Sequence, residues 1–113
     1  MTDTSTQSSE QLYQLYVYIP ETHLEIVKEA LFAAGAGRYE QYDSCCWQSK
    51  GEGQFRPLRG SQPAIGTIEQ LEKVTEYKVE LICRESCLAA AIAALHSAHP
   101  YEEPAFGMLK LSQ

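Results

Sequence analysis

The chain has 113 residues, enough for one domain with a single modest core. Hydrophobic residues make up 44% and the formal net charge is -6. That composition is globular, and with Lys and Arg not gathered into a stripe it argues against nucleic acid as a partner. No apolar run approaches the ~20 residues of a membrane span.

The N-terminus, "MTDTSTQSSEQ", is polar and lacks the apolar stretch of a secretory signal. It is expected to be a disordered tail over residues 1–11, ahead of a single domain over 12–113. A cytoplasmic location follows, with the four cysteines reduced. Cys45 and Cys46 are adjacent and Cys83 and Cys87 are four apart. Neither spacing is that of a zinc knuckle or a redox pair, so they are read as small buried hydrophobes.

"LYQLYVYIP", Leu12 to Pro20, predicts a strand. Leu15, Val17 and Ile19 share one face, and Tyr16 and Tyr18 share the other. In "ETHLEIVKEALFAAG", Thr22 and Glu25 form a capping-box pattern. Leu24, Val27, Leu31 and Ala34 then recur on one side of a helix, and Gly35 suits its end. His23, in the first turn, is read as solvated.

"RYEQYDSCCWQSKGEGQFRPL" predicts a hairpin. Its arms run over about 40–49 and 54–58, and Gly51 and Gly53 flank a tight tip. Gly51-Glu52-Gly53 is no phosphate loop, because no helix follows to supply donors. The stretch from Arg59 to Glu72 is the longest irregular one. "KVTEYKVELICR" resumes alternation, with Tyr77, Val79, Leu81 and Cys83 on one face and Lys78, Glu80 and Arg84 on the other. Ser86 is the expected cap of a second helix, whose stripe is Leu88, Ala91, Ile92 and Leu95. "AFGMLKLSQ" predicts a last strand.

The order strand, helix, strand, strand, helix, strand, with one apolar face per helix, gives an α+β ferredoxin-like βαββαβ sandwich. Its antiparallel sheet carries both helices on one face. The opposite face, with Tyr16 and Tyr18, is expected to meet another subunit.

Between the second helix and the last strand lies "HPYEEPAF", His99 to Phe106. Pro100 should stop the helix by about Ala98, and Pro104 should stiffen the start of the strand. On the structural reading Tyr101 packs on the sheet edge while Glu102 and Glu103 are solvated. On the functional reading His99 with Glu102 or Glu103, joined by His96 three residues upstream, holds a divalent metal such as zinc, copper or manganese. The structural reading is preferred, because a tight site needs three or four converging ligands. The adjacent glutamates diverge on extended backbone, and no nucleophile is placed with a base beyond a formal pairing of Cys45 with His99.

The run "YVYIPETHLEIVKEALFAAGAGRYEQYDSCCWQSKGEGQFRPLRGSQPAIG", followed by "HPYEEPAF", resembles the inserted domain of the Nif-three family, the YqfO-type proteins. The "HPYEEP" corner also resembles that of the CutA divalent-ion-tolerance proteins. The resemblance implies a PII/CutA-like variant of the fold and a homo-oligomer, with a trimer favoured over a dimer. The dinuclear metal centre of full-length Nif-three proteins is built by flanking segments that this sequence does not show, so hydrolase activity is not carried over, and the insert is expected to be free-standing. The expected function is a small non-enzymatic binding or regulatory module that senses a metal ion or metabolite at subunit clefts. The alternative is a structural protein-interaction domain. PII-type nucleotide sensing is not expected, because the hairpin connection is read as a tight turn.

Overall fold

The structure is a computed structural model that describes residues 10–112. It contains four strands and two α-helices: β1 (Leu12–Pro20), α1 (Leu24–Ala33), β2 (Trp47–Phe55), β3 (Glu72–Arg84), α2 (Glu85–Ala98) and β4 (Phe106–Lys110). The sheet is antiparallel throughout, in the order β2-β3-β1-β4. This is the ferredoxin-like sandwich expected from the sequence.

Alternation places the core. Leu15, Val17 and Ile19 of β1 lie opposite Leu81, Val79 and Tyr77 of β3. The first five of these, with Cys83, are buried beneath Leu24, Val27 and Leu31 of α1 and Ala91 and Leu95 of α2. Ala91 is fully buried, which lets α2 approach closely. Helix α1 ends as Gly35 predicts. Gly35 has φ +104°, its N–H donates to the Phe32 carbonyl and the Ala36 N–H to that of Leu31, closing the last turn.

The helix starts differ from the reading of the sequence. Thr22 makes no capping bond to α1; its hydroxyl meets His23 Nδ1 at 2.9 Å, and a short 3-10 turn over Glu21–His23 leads into the helix. At α2 the capping group comes from far away in sequence. The Glu10 carboxylate accepts the Ser86 N–H at 2.7 Å, and bonds from Ser86 hold the Glu10 carboxyl below its ordinary range. Gln11 donates to the Leu111 carbonyl at 2.7 Å, and its own carbonyl accepts the Glu85 N–H. Of the expected tail, residues 1–9 lie outside the described residues, whereas Glu10 and Gln11 tie β1, α2 and the C-terminal segment together.

The hairpin boundaries are corrected. Residues 40–46 are irregular, and β2 runs unbroken through Gly51 and Gly53, paired with β3 from Trp47↔Glu80 to Phe55↔Glu72. The turn lies later, in the irregular segment 56–71, so the connection is long rather than tight. Gly53 marks a close approach, not a bend: a Cβ there would collide with the Glu76 carboxylate, whereas one on Gly51 would meet open space.

Candidate functional site

One end of β1 is clasped by the His99–Phe106 corner. The Tyr18 N–H donates to the Ala105 carbonyl at 3.0 Å, and the Tyr18 carbonyl lies 2.8 Å from His99 Nε2. The Tyr101 N–H donates to His99 Nδ1 at 3.1 Å. Because that N–H can only donate, Nδ1 must accept, and Nε2 therefore carries the proton given to Tyr18. The ring is 6% exposed. Burial pushes its pKa below the ordinary imidazole value, against the bond to Tyr18 and the nearby Glu76 charge. His99 is thus a neutral brace between strand and corner.

The corner faces the segment 56–71 across the end of the sheet. Glu69 N–H donates to the Pro57 carbonyl at 2.6 Å, folding the segment back on itself. Ser61 donates through N–H and hydroxyl to the Leu58 carbonyl. The Gln62 N–H donates to Glu102 Oε1 at 3.1 Å, linking segment to corner. Between them lies a cleft of about 390 Å³. Phe55, Pro57, Pro63, Ala64, Ile65 and Tyr101 give it apolar walls, and Glu76, Glu102 and Glu103 add carboxylates.

Tyr101 links these parts. Its ring lies 4.9 Å from that of His99 and 5.9 Å from that of Phe55. Its hydroxyl donates to Glu76 Oε2 at 3.0 Å. Burial, then the Glu76 carboxylate, keep the phenol protonated well above its usual range. The expectation that Tyr101 packs at the sheet edge agrees with this geometry.

The candidate metal residues do not assemble as a ligand set. Both ring nitrogens of His99 are committed to backbone groups, and Glu102 accepts from Gln62. His96 is exposed on α2, with its ring against Phe106. Among the described residues no three His, Cys, Asp or Glu side chains gather as metal ligands. Glu102 and Glu103 do line the cleft. Glu76 and Phe55 were missed. The available signal was the alternation of β3, which puts Glu76 on the face of Lys78 and Glu80.

The cysteines are free: Cys83 is buried and Cys45, Cys46 and Cys87 are partly buried. Burial pushes the Cys83 thiol up to about 11. On the helix-free face, Tyr16 and Tyr18 meet edge to face at 6.2 Å, with Lys78 Nζ over both rings. Gly107 makes room there, since a Cβ would meet the Tyr16 ring.

Fold and corner together define a PII/CutA-like domain. The comparison with solved structures agrees: CutA1 from Ehrlichia chaffeensis superposes with a TM-score of 0.65 over 92% of this chain and 84% of that one, at 14% identity, a likeness of fold alone. A Bacillus cereus protein related to NIF3 superposes with a TM-score of 0.78 at 38% identity, over 92% of this chain and 26% of that chain. The Mycobacterium leprae protein named GTP cyclohydrolase 1 type 2 homolog is 43% identical over 84% of this chain and 25% of its own length. The chain is therefore a relative of one domain of the Nif-three proteins, and it spans about a quarter of the length of these longer relatives. No protein-family model matches the chain.

Proposed function

We propose that the chain is a small oligomeric binding or regulatory module, without a catalytic step of its own, that takes its ligand in the cleft between segment 56–71 and the His99–Phe106 corner. The observation that carries this reading is the cleft itself. Its volume of about 390 Å³ falls in the range of small-molecule sites, and apolar walls with a few placed polar groups are their usual lining. Among the described residues no cysteine, lysine or histidine lines it, and the Ser61 hydroxyl is engaged with a backbone carbonyl. The relatives' name refers to GTP cyclohydrolase, but that activity would belong to proteins about four times as long.

The long 56–71 connection removes the sequence argument against nucleotide sensing. The lining supplies a different one: it offers carboxylates and no basic side chain to a phosphate. A divalent ion on Glu102 and Glu103 is a second outcome that the same experiment reads.

Assembly is the other half of the proposal. The helix-free face exposes Trp47, Leu109 and part of Tyr18, an aromatic and apolar surface suited to burial between copies. The Nif-three and CutA resemblance favours a trimer over a dimer. A net charge of -6 speaks against nucleic acid, and no helix among the described residues is long and apolar enough to cross a membrane. A cytoplasmic setting fits these features.

A thermal-shift panel of divalent metals, nucleotides, amines and organic acids tests the binding reading. A saturating rise is expected with one class; ligand at 100 times its Kd stabilises by about 2.7 kcal/mol. A flat panel would instead favour a protein-interaction domain with no ligand of its own. Light scattering tests assembly against the 12.7 kDa monomer, and Tyr16→Glu or Tyr18→Glu should weaken it.

A further inference from the structure

We infer that the ligand of this cleft is an organic cation: an amine whose ammonium lies among Glu76, Glu102 and Glu103, and whose apolar body rests on Phe55 and Tyr101. The inference rests on the binding-module reading and names the ligand class that the lining selects.

The sign of the charge comes first. Among the described residues, every charged side chain that lines the cleft is a carboxylate. Two nearby basic groups face other partners: Lys78 Nζ is 3.1 Å from Glu80 and lies over the Tyr16 and Tyr18 rings, and Arg59 faces Glu69 at 3.9 Å, while the exposed Arg56, between the lining residues Phe55 and Pro57, does not itself line the cleft. An anion in the cleft would meet three like charges beside apolar walls and be repelled. An ammonium meets them with attraction.

Two of the three carboxylates are also held in place. Glu76 is fixed from two sides, by the Tyr101 hydroxyl at 3.0 Å and by lying across the bare backbone of Gly53. Glu102 is held by the Gln62 N–H. An ionised carboxylate has about four acceptor positions, so one or two such bonds leave capacity for an N–H donor. The phenol that orients Glu76 stays protonated, which preserves its donated bond at neutral pH.

Geometry separates an organic cation from a bare metal ion. The acids come from different elements, Glu76 from β3 and Glu102 and Glu103 from the corner, and among the described residues they are not gathered tightly enough to form a metal's ligand set. A small ion would be left under-coordinated. An ammonium on a flexible chain needs only two or three acceptors, and its carbon skeleton fills the remaining space. The walls suit that skeleton. The Phe55 and Tyr101 rings are 5.9 Å apart and tilted by 57°, giving two aromatic surfaces that stack on an apolar body and attract a cation through their π-faces.

Calorimetric titration of the full chain tests this with matched probes: tyramine, its anionic counterpart 4-hydroxyphenylacetate, 1,5-diaminopentane, zinc chloride and GTP. Tyramine and the diamine should bind saturably and weaken as salt rises, while 4-hydroxyphenylacetate should not bind. Glu103→Gln, at an exposed position, should weaken tyramine several-fold with the melting temperature unchanged. Glu76→Gln should weaken it by about tenfold, the scale on which loss of one close charge pair is felt. If Glu76→Gln fails to fold, the salt dependence and Glu103→Gln still decide. Equal binding of tyramine and 4-hydroxyphenylacetate, or tyramine binding indifferent to Glu103→Gln and to salt, would overturn the inference. Binding of zinc or GTP alone would overturn the ligand class while leaving the binding module standing. If every probe here and in the thermal-shift panel fails, both fall together.

Discussion

The two ends of β3 are the same strand in different surroundings. Its C-terminal half, Tyr77 to Arg84, runs beside β1 in the centre of the sheet, with Val79, Leu81 and Cys83 buried beneath the helices. Its N-terminal end, Glu72 to Thr75, pairs with β2 alone and has no buried residue. That two-stranded arm helps give the molecule a long axis of 56 Å against 24 Å in the other directions. The central half is held by apolar burial. The outer end is held by backbone pairing, the clasp of the His99 corner and a few side-chain bonds. The cleft lies at that outer end, so the binding surface is built on the part of the fold with the least burial beneath it, as is common for sites that must admit a ligand.

The largest expected effect breaks the central half. Leu31 is fully buried, and Leu31→Ala should cost about 2–5 kcal/mol through lost transfer energy and the cavity left behind. Urea denaturation followed by circular dichroism measures it. A loss below 1 kcal/mol would mean that α1 does not depend on this packing.

The next effect falls on the clasp. His99→Phe keeps a ring of similar shape but leaves the Tyr18 carbonyl and the Tyr101 N–H without their partner. Two unpaired groups at this site should cost about 2–4 kcal/mol. The pH dependence has a definite sign. The folded-state pKa of His99 is lowered, chiefly by burial, with His23 and His96 adding to the fall and Glu76 opposing it. The unfolded chain therefore takes up the proton first. The contribution is complete above the ordinary value of 6.5 and is lost as pH falls through the lower folded value. Stability of the native chain should decline over that window, and the decline should be shallower in His99→Phe.

These two halves were not equally legible in the sequence. Where burial builds the structure, period shows it: the alternation of β1 and β3 and the helical spacing of Leu24, Val27 and Leu31 all gave the correct faces. Where backbone bonds and long-range partners build it, period is silent. Gly51 and Gly53 read as a tip because glycine usually marks a turn, yet β3 supplies a full ladder and Glu76 requires the bare backbone of Gly53. The capping box failed because Thr22 turns to His23, and the bond at α2 comes from Glu10, which no local pattern reveals. The corner was located correctly and its structural reading preferred, but the bracing role of His99 was hidden because its two partners are backbone atoms of Tyr18 and Tyr101.

A smaller effect compares thiols. Cys83 is buried with its thiol raised to about 11, whereas Cys45 is partly exposed. Alkylation of the native protein at pH 8 should modify Cys45 well before Cys83, because the thiolate is the reacting form and must be reached by the reagent. Peptide mass mapping over time reads the order. Reaction of Cys83 first would contradict the packing of the central half. After unfolding, four thiols should be alkylatable.

The smallest expected effect on stability is the most informative about the cleft. Gly53→Ala adds one methyl group to β2, and that methyl collides with the Glu76 carboxylate. The obstacle is the far end of a flexible side chain, so Glu76 can swing aside while the backbone ladder stays intact. Alanine also loses less conformational entropy than glycine on entering a strand, which offsets part of the strain. The melting temperature should therefore change little, corresponding to less than about 1 kcal/mol. Glu76 cannot move without loosening its 3.0 Å bond from the Tyr101 hydroxyl, and that bond joins the arm to the corner. Amine binding should fall together with the Tyr101–Glu76 contact, which appears as a shifted and broadened Tyr101 ring signal in NMR spectra. A variant that lost several kcal/mol would show that the arm tolerates no adjustment at Gly53. A variant that kept both the Tyr101 signal and the affinity would show that Glu76 does not need its place over Gly53, and the positioned carboxylate on which the cleft's selectivity depends would lose its support.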